Sequence, residues 1–265
     1  MKYTISSLSF DWGKVRHLEG MPLELGFEIF WECGSEDSWH HTMDILQANG
    51  KRRLSIHSPY LFNDLSLPGD TAKKFEELRR PFEFYHRYDA EFYVVHTCDH
   101  LYGPSDPQTE EDRRKRAMDR LGAFNEICRA EGVLMVAENI AYGKGERPLF
   151  NHDQYLELFR QLPQLHCLID LGHAALADIR VSEIQKELRE RIVAYHLHDN
   201  DGTADSHKRM WMGTRDWDAF ARGVAMYTPE AIGVMEYYGF PDLANYLEDS
   251  ARLEKLICSS LRVES

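Results

Sequence analysis

Paired thiols, long apolar runs, surplus positive charge and a glycine-rich nucleotide loop are all missing from this chain, and each absence removes a class of protein. Its five cysteines, Cys33, Cys98, Cys128, Cys167 and Cys258, are odd in number and widely spaced, with no CxxC pair. They read as reduced thiols rather than a disulfide framework or a zinc–thiolate site. No stretch approaches the ~18 uninterrupted apolar residues of a membrane span, and the opening MKYTISSLSF lacks the apolar segment of a signal peptide. A cytoplasmic protein with no membrane partner is the expectation. Lys and Arg number 31 against 44 Asp and Glu, a formal net charge of −13, whereas proteins that hold duplex nucleic acid draw much of their affinity from cations set against phosphates. A nucleic-acid partner is therefore not expected. The one basic cluster, Arg113, Arg114, Lys115 and Arg116, follows TEED at the start of a helical pattern and reads as a solvated helix face. No GxGxxG turn follows the first strand candidate, so a dinucleotide fold has no support. Repeats, low-complexity segments and linkers are absent as well.

What is present is a regular alternation. At 265 residues and 43% hydrophobic content the chain suits one large domain, and an α/β barrel commonly runs to about 250 residues. Short apolar runs bounded by polar or Gly residues mark strands: KYTISSLSF, GFEIFWE, RLSIHS, EFYVVHT, VLMVAEN, HCLIDLG, RIVAYHLHD and AIGVMEYYG. Helical patterns lie between them at 36 to 49, 70 to 88, 109 to 131, 152 to 162 and 241 to 258, with another from Asp216 to Met226; the connector after the first strand is unassigned. Strands alternating with helices imply a parallel sheet, and eight of them imply a closed barrel.

Ionisable residues fall at the ends of these runs. His57 closes the third, His96 the fourth, Glu138 the fifth, Asp170 the sixth, His196 the seventh and Glu236 the eighth. In a barrel these ends converge on one mouth, where six such groups are costly to desolvate together unless they bind a cation or a substrate. Singly, each has a plain structural reading, a backbone partner for a His or an Arg partner for a Glu. The stretch His196 to Trp217, HLHDNDGTADSHKRMWMGTRDW, adds His198, His207 and four aspartates where the seventh strand stops.

The segments AEN at 137 to 139, IDLGH at 169 to 173, HLHDNDG at 196 to 202, DSH at 205 to 207 and MEYYG at 235 to 239 resemble the xylose isomerase-like TIM-barrel superfamily. That group includes sugar isomerases and epimerases, inosose-processing enzymes and apurinic-site nucleases of the endonuclease IV type. The resemblance spans essentially the whole chain and implies a single (β/α)8 TIM-barrel domain over residues 1 to 265. Its isomerase/epimerase branch implies one divalent metal held by Glu138, Asp170, His196 and Glu236. Three carboxylates and one imidazole suit Mn²⁺ first, with Mg²⁺, Co²⁺ and Zn²⁺ as alternatives. The implied activity is a metal-dependent isomerase or epimerase acting on a keto-sugar, inositol derivative or related polyol. Glu138 and Glu236 are then the catalytic pair, exchanging a proton through a metal-stabilised enediolate. Transfer between opposite faces gives epimerisation, and transfer to the neighbouring carbon gives aldose–ketose isomerisation. His57, His96, His173 and His207 are the substrate-binding candidates, with Trp12, Trp31 and Tyr60 as apolar walls. The resembled enzymes are often dimers or tetramers, which allows a homo-oligomer.

Three other readings stand beside this one. The nuclease branch places three zinc ions on a pattern traceable here through His57, His96, Glu138, Asp170, His173, His196, Asp205, His207 and Glu236. Against it stand the acidic charge, the absence of basic groove-inserting loops and a seventh-strand loop unlike the HLND form of the nucleases. A dehydratase of a keto-polyol uses the same parts, and a non-catalytic sugar-binding barrel predicts a broken metal quartet, which is intact here. The chain also departs from keto-sugar epimerases that carry an Arg soon after the seventh-strand His. Asp199, Asn200 and Asp201 follow instead, leaving Lys208 or Arg209 as substitutes. With no Gly-rich phosphate cradle, an unphosphorylated substrate is expected.

Overall fold

A computed structural model of the chain describes residues 1–10, 18–48, 50–61, 63–98, 107–141, 143, 148–239 and 241–261. Its strands are β1 (Lys2–Ser6), β2 (Leu25–Phe30), β3 (Leu54–His57), β4 (Phe92–His96), β5 (Met135–Glu138), β6 (His166–Asp170), β7 (Ile192–Leu197) and β8 (Ile232–Met235). Each pairs in parallel with the next, and β8 pairs with β1, closing the barrel in sequence order. All eight expected runs form strands, each shorter than its apolar segment.

Alternation sorts the strand residues into two shells. Phe92, Val94, Val136, Leu168, Ala194, Ile232 and Val234 pack together as one buried cluster inside the barrel. Their neighbours Tyr93, Val95, Met135, Ala137, Cys167, Ile169, Tyr195, Leu197 and Met235 belong to the larger cluster that joins the sheet to the helices. Both faces of every strand are thus dry, which is why these segments read as near-continuous apolar runs. The five cysteines are unpaired, and no described helix is long and apolar enough to cross a membrane.

The helices are α1 (Glu36–Gln47), α2 (Thr71–Arg79), α3 (Phe82–Arg87), α4 (Pro107–Ala130), α5 (His152–Gln161), α6 (Leu171–Leu176), α7 (Val181–Glu187), α8 (Trp217–Tyr227) and α9 (Leu243–Leu261). Side chains cap their starts: Ser35 for α1, Asp70 for α2, a capping box of Asn151 and Gln154 for α5, and Asp216 for α8, each satisfying an orphan N–H of the first turn. The pattern at 70 to 88 is two helices, not one. Pro81 has no N–H to donate and breaks the run, sitting at the start of α3. The short helices α6 and α7 fill the stretch between β6 and β7 that carried no helical expectation. Residues 11–17, which include Trp12, lie outside the described residues.

The basic cluster corrects its sequence reading. Arg113 is buried, and its guanidinium donates to Asp64 Oδ2 (3.3 Å) and Ser66 Oγ (2.8 Å). Arg116 donates to Ser66 O, while Arg120 donates to Leu65 O, Leu67 O, Gly69 O and Thr71 Oγ1. Only Lys115 of the four is exposed. One face of α4 is therefore a clasp on the β3–α2 connection. Five planar N–H donors on a rigid fork suit arginine to a turn whose carbonyls all point one way.

Candidate active site

The C-terminal ends of the strands carry the ionisable residues into one place, as in other barrels of this type. Parallel register sets His96 opposite Glu138, and Asp170 opposite His196. Glu236 follows the last residue of β8. Each sits two residues beyond an interior apolar residue, so alternation aims it into the barrel mouth. Glu138, Asp170, His196 and Glu236 are all buried, none more than 2% exposed.

His196 is the hub. Its Nε2 lies 3.1 Å from Glu28 Oε1, while its Nδ1 faces Glu138 Oε1 at 3.4 Å, Asp170 Oδ2 at 3.5 Å and Glu236 Oε2 at 3.4 Å. Because a carboxylate only accepts, the Nε2–H donates to Glu28 and a neutral ring turns its bare Nδ1 lone pair toward three carboxylate oxygens. Glu138 Oε2, His196 Nδ1 and Glu236 Oε1 are buried with no hydrogen-bond partner among the described residues. Lone pairs converging without a donor are what a cation site looks like, and the hard, mostly oxygen donor set fits a divalent metal.

Two further ligand groups flank this cage. His57 Nδ1 lies 3.0 Å from Ser58 O, to which it donates, leaving Nε2 3.0 Å from His96 Nε2 and 3.3 Å from Glu138 Oε2. On the other side His173 and His207 direct their Nδ1 atoms at the Asn139 and Glu236 carbonyls, both at 3.0 Å. Their Nε2 atoms meet at Asp205 Oδ2, at 3.2 and 2.8 Å. A histidine that gives one ring N–H to a carbonyl and presents the other nitrogen to a carboxylate has the posture of a metal ligand.

The side chains of the mouth set one another's protonation. Burial pushes the Glu138 and Asp170 carboxyls up, but the imidazoles around them win: His196 and His96 for Glu138, His173 and His198 for Asp170. Both acids are held well below the ordinary range. Burial pulls His173, His196 and His207 down, and the carboxylates facing them more than reverse it. Glu236 goes the other way: burial, reinforced by Glu28 and Glu138, raises it to about 7 despite His196 and His207. Two carboxyls flanking one imidazole thus differ in protonation near neutral pH.

Two site residues carried no assignment from sequence. Glu28, in the middle of β2, is fully buried beside His196. His198 is also fully buried, and its Nε2 sits 2.8 Å from Asp170 Oδ2, while burial keeps its pKa below the usual value. Period-two alternation from His196 put His198 on the same face, a signal present in HLHD. Its ring leaves no room for a Cβ at residue 172, which explains Gly172 after Asp170. Asp170 is pinned from the other side by the His173 N–H on Oδ1 at 2.7 Å, as the cap of α6.

The rim is built from the loop after β7. Asp199 and Lys208 pair as an antiparallel bridge, and Ala204 bridges to Gly143 of the β5 connection, which swings Asp205 and His207 over the mouth. His207 adopts a left-handed backbone (φ +41°), a strained conformation that functional positions tend to keep. Its ring stacks between His198 at 4.0 Å and the half-exposed Tyr238 at 4.3 Å. Tyr60 stands over His96, ring centres 4.6 Å apart, as a wall of the mouth. Trp31 instead packs in the outer core against Phe84. Lys208 pairs with Asp201 and Arg209 with Asp249 on α9, so Arg209 points away from the ligand groups. Asp199 accepts from the Trp217 indole and the Arg215 N–H and holds the loop.

Known proteins bear on this geometry in three ways. An uncharacterized protein of Sinorhizobium fredii, y4fM, is 30% identical over 81 residues, 28% of this chain and 26% of that one, so the match spans about a quarter of the curated relative. A D-tagatose 3-epimerase-like protein superposes with a TM-score of 0.80 at 19% identity, covering 98% of this chain and 100% of the other. The 3-keto-D-glucoside 4-epimerase YcjR of E. coli superposes with a TM-score of 0.71 at 14% identity, covering 96% and 99%. At those identities the two structures speak for the fold. The family profile described as xylose isomerase-like TIM barrel matches residues 26–256, and on that match the chain belongs to the xylose isomerase-like TIM-barrel family.

Proposed function

We propose that this protein is a divalent-metal-dependent isomerase or epimerase of a keto-sugar, inositol derivative or related polyol. The observation that carries the reading is the pair Glu138 and Glu236, each with an oxygen 3.4 Å from the same buried His196 Nδ1. Two carboxyls converging on one centre from different strands supply a base and an acid for proton exchange. In this reading Glu138 takes a proton from a substrate carbon and Glu236 returns one from another side. A divalent ion held by Glu138, Asp170, His196 and Glu236, manganese first, would supply polarisation of the substrate carbonyl. His173 and His207 stand where hydroxyls are oriented, and the apolar interior of the barrel closes the site from below and keeps water out. Similarity to the two sugar epimerases supports the substrate class. The same reading carries one domain over 1–265, an unphosphorylated substrate and a cytoplasmic location, with homo-oligomers permitted. Dehydration of a keto-polyol would use the same acid and base.

A second reading is favoured by one observation: His57 with His96 and Glu138, and Asp205 with His198 and His207, form two more ligand groups beside the quartet, and His173 Nε2 lies 3.2 Å from the same Asp205. A three-zinc, nuclease-type centre would draw on these groups. Metal analysis of protein purified without chelator separates the two. One equivalent, lost in Glu138→Gln and retained in His207→Ala, together with solvent deuterium entering a keto-sugar, is the expected outcome. Close to three zinc ions, fewer in His207→Ala, with cleavage of abasic-site DNA, would replace the first reading by the second.

A further inference from the structure

We infer that Glu28 is a positioning residue that fixes His196 as an Nδ1 ligand; the inference rests on the quartet being a metal site. Glu28 lies in mid-strand on β2 and is fully buried. Its two oxygens are both spoken for. Oε2 accepts the Ser55 hydroxyl at 2.8 Å, from the residue directly opposite in the β2–β3 register, and Oε1 accepts the His196 Nε2–H at 3.1 Å. The His196 ring therefore stands between Glu28 and the three carboxylate oxygens around Nδ1.

Neutral imidazole has one N–H and one lone pair, and the hydrogen bond made by one nitrogen decides which the other presents. With Glu28 in place the proton sits on Nε2 and the lone pair points into the cage. Remove the carboxylate and no other hydrogen bond reaches Nε2 among the described residues, so the proton is free to move to Nδ1, where it can donate to Glu138, Asp170 or Glu236. His196 then becomes a donor inside a site that needs a ligand. Ser55 holds the lever still: its hydroxyl fixes one Glu28 oxygen so that the other is aimed at the ring. No role in touching substrate is assigned to Glu28.

The test is Mn²⁺ affinity measured by calorimetric titration on chelator-stripped protein, with histidine tautomers read by long-range ¹H–¹⁵N spectra on the same samples, using Zn²⁺ for the spectra of loaded protein. Glu28→Gln keeps the shape and a hydrogen-bond acceptor but removes the charge, and its Mn²⁺ dissociation constant is expected to rise on the order of 10-fold; Glu28→Ala should cost up to about 100-fold, the range typical of outer partners of a ligand histidine. Ser55→Ala should weaken binding less than Glu28→Gln. In the Zn²⁺-loaded wild type the His196 proton should reside on Nε2, and in Zn²⁺-loaded Glu28→Ala a share of it on Nδ1. Unchanged affinity in both Glu28 variants, or an Nδ1–H form in the Zn²⁺-loaded wild type, overturns the assignment of Glu28. A wild type that binds no Mn²⁺ or Zn²⁺ overturns the metal-dependent reading itself, an outcome separate from the other two.

Discussion

The floor and the mouth of this barrel are made by the same strands two residues apart, and they have opposite chemistry. Val94 lies below His96, Val136 below Glu138, Leu168 below Asp170, Ala194 below His196 and Val234 below Glu236. One pleat repeat, about 7 Å along a strand, takes the interior from a dry aliphatic plug to a shell of acids and imidazoles. The plug needs only volume and apolarity, and its members are aliphatic apart from Phe92. The mouth needs particular atoms at particular angles, and several of its side chains are held by a second partner: His196 by Glu28, Asp170 by His198, His207 by the Glu236 carbonyl. Stability and chemistry are thereby separated along the barrel axis, as a fold reused for many reactions requires.

Paired substitutions break that separation most forcefully. Glu236→Gln removes the group proposed to move a proton near neutrality, and should lower turnover on the order of 10²- to 10⁴-fold while leaving the melting temperature of the stripped protein little changed. Leu168→Ala, two residues below Asp170 on β6, should do the reverse. It empties space in a plug that has no exposed members to collapse inward, and should cost ~2–5 kcal/mol of stability while keeping the wild-type metal stoichiometry. Thermal melts and metal content on the same two variants decide the matter. If Leu168→Ala loses metal as completely as Glu138→Gln does, the floor and the mouth are one unit and the comparison fails.

A pH series sharpens it next. Burial, reinforced by Glu28 and Glu138, raises the Glu236 carboxyl to about 7, above the roughly 4.3 of a free glutamate. A group with a raised folded pKa contributes stability that is whole below its unfolded value and is lost as pH rises through its folded one. The raised His173, His196 and His207 work in the same direction. The melting temperature should accordingly fall between about pH 5 and pH 8, by several degrees, and added metal should remove most of the slope by taking over the role of the protons. Glu236→Gln should flatten part of it. A stripped protein that gains stability over that window would show that the mouth does not hold these protons.

How much of this was readable beforehand follows from what each residue depends on. The convergence of His57, His96, Glu138, Asp170, His196 and Glu236 was legible because each closes an apolar run, and strand ends converge in a barrel whatever the loops do; the choice of four among them as a metal quartet came from the family resemblance. Glu28 was not, because a charge inside GFEIF gains meaning only once register sets it against Ser55 and His196. His198 was half legible: alternation gives its face, but contact with Asp170 depends on the bend after β7. Pro81 was visible in sequence as a breaker, yet the apolar periodicity continues across it and reads as a single helix. Arg113 was misread since charge runs are judged by composition, whereas burial depends on what the preceding loop brings to the helix.

The smallest effect is expected on the helix of that clasp, where two arginines repeat the contrast between positioned and merely exposed groups. Arg113 is buried against Asp64 and Ser66, whereas Arg129, later on the same helix and half-exposed, pairs with Glu126, an acid 65% exposed. Surface pairs of the second kind are worth ~0–1 kcal/mol, so Arg129→Ala should leave the melting temperature nearly where it was. Arg113→Ala strips a charged donor from Asp64 but leaves that carboxyl the Ser66 N–H at 2.6 Å, so its cost should stay near ~1–3 kcal/mol. The consequence reaches the mouth, because the β3–α2 connection that Arg113 grips also carries Tyr60, the wall over His96. A rise in KM larger than the fall in kcat for Arg113→Ala, with neither changed in Arg129→Ala, would show that the clasp shapes the mouth. Equal behaviour of the two variants would place the β3–α2 connection among the merely structural parts of the barrel.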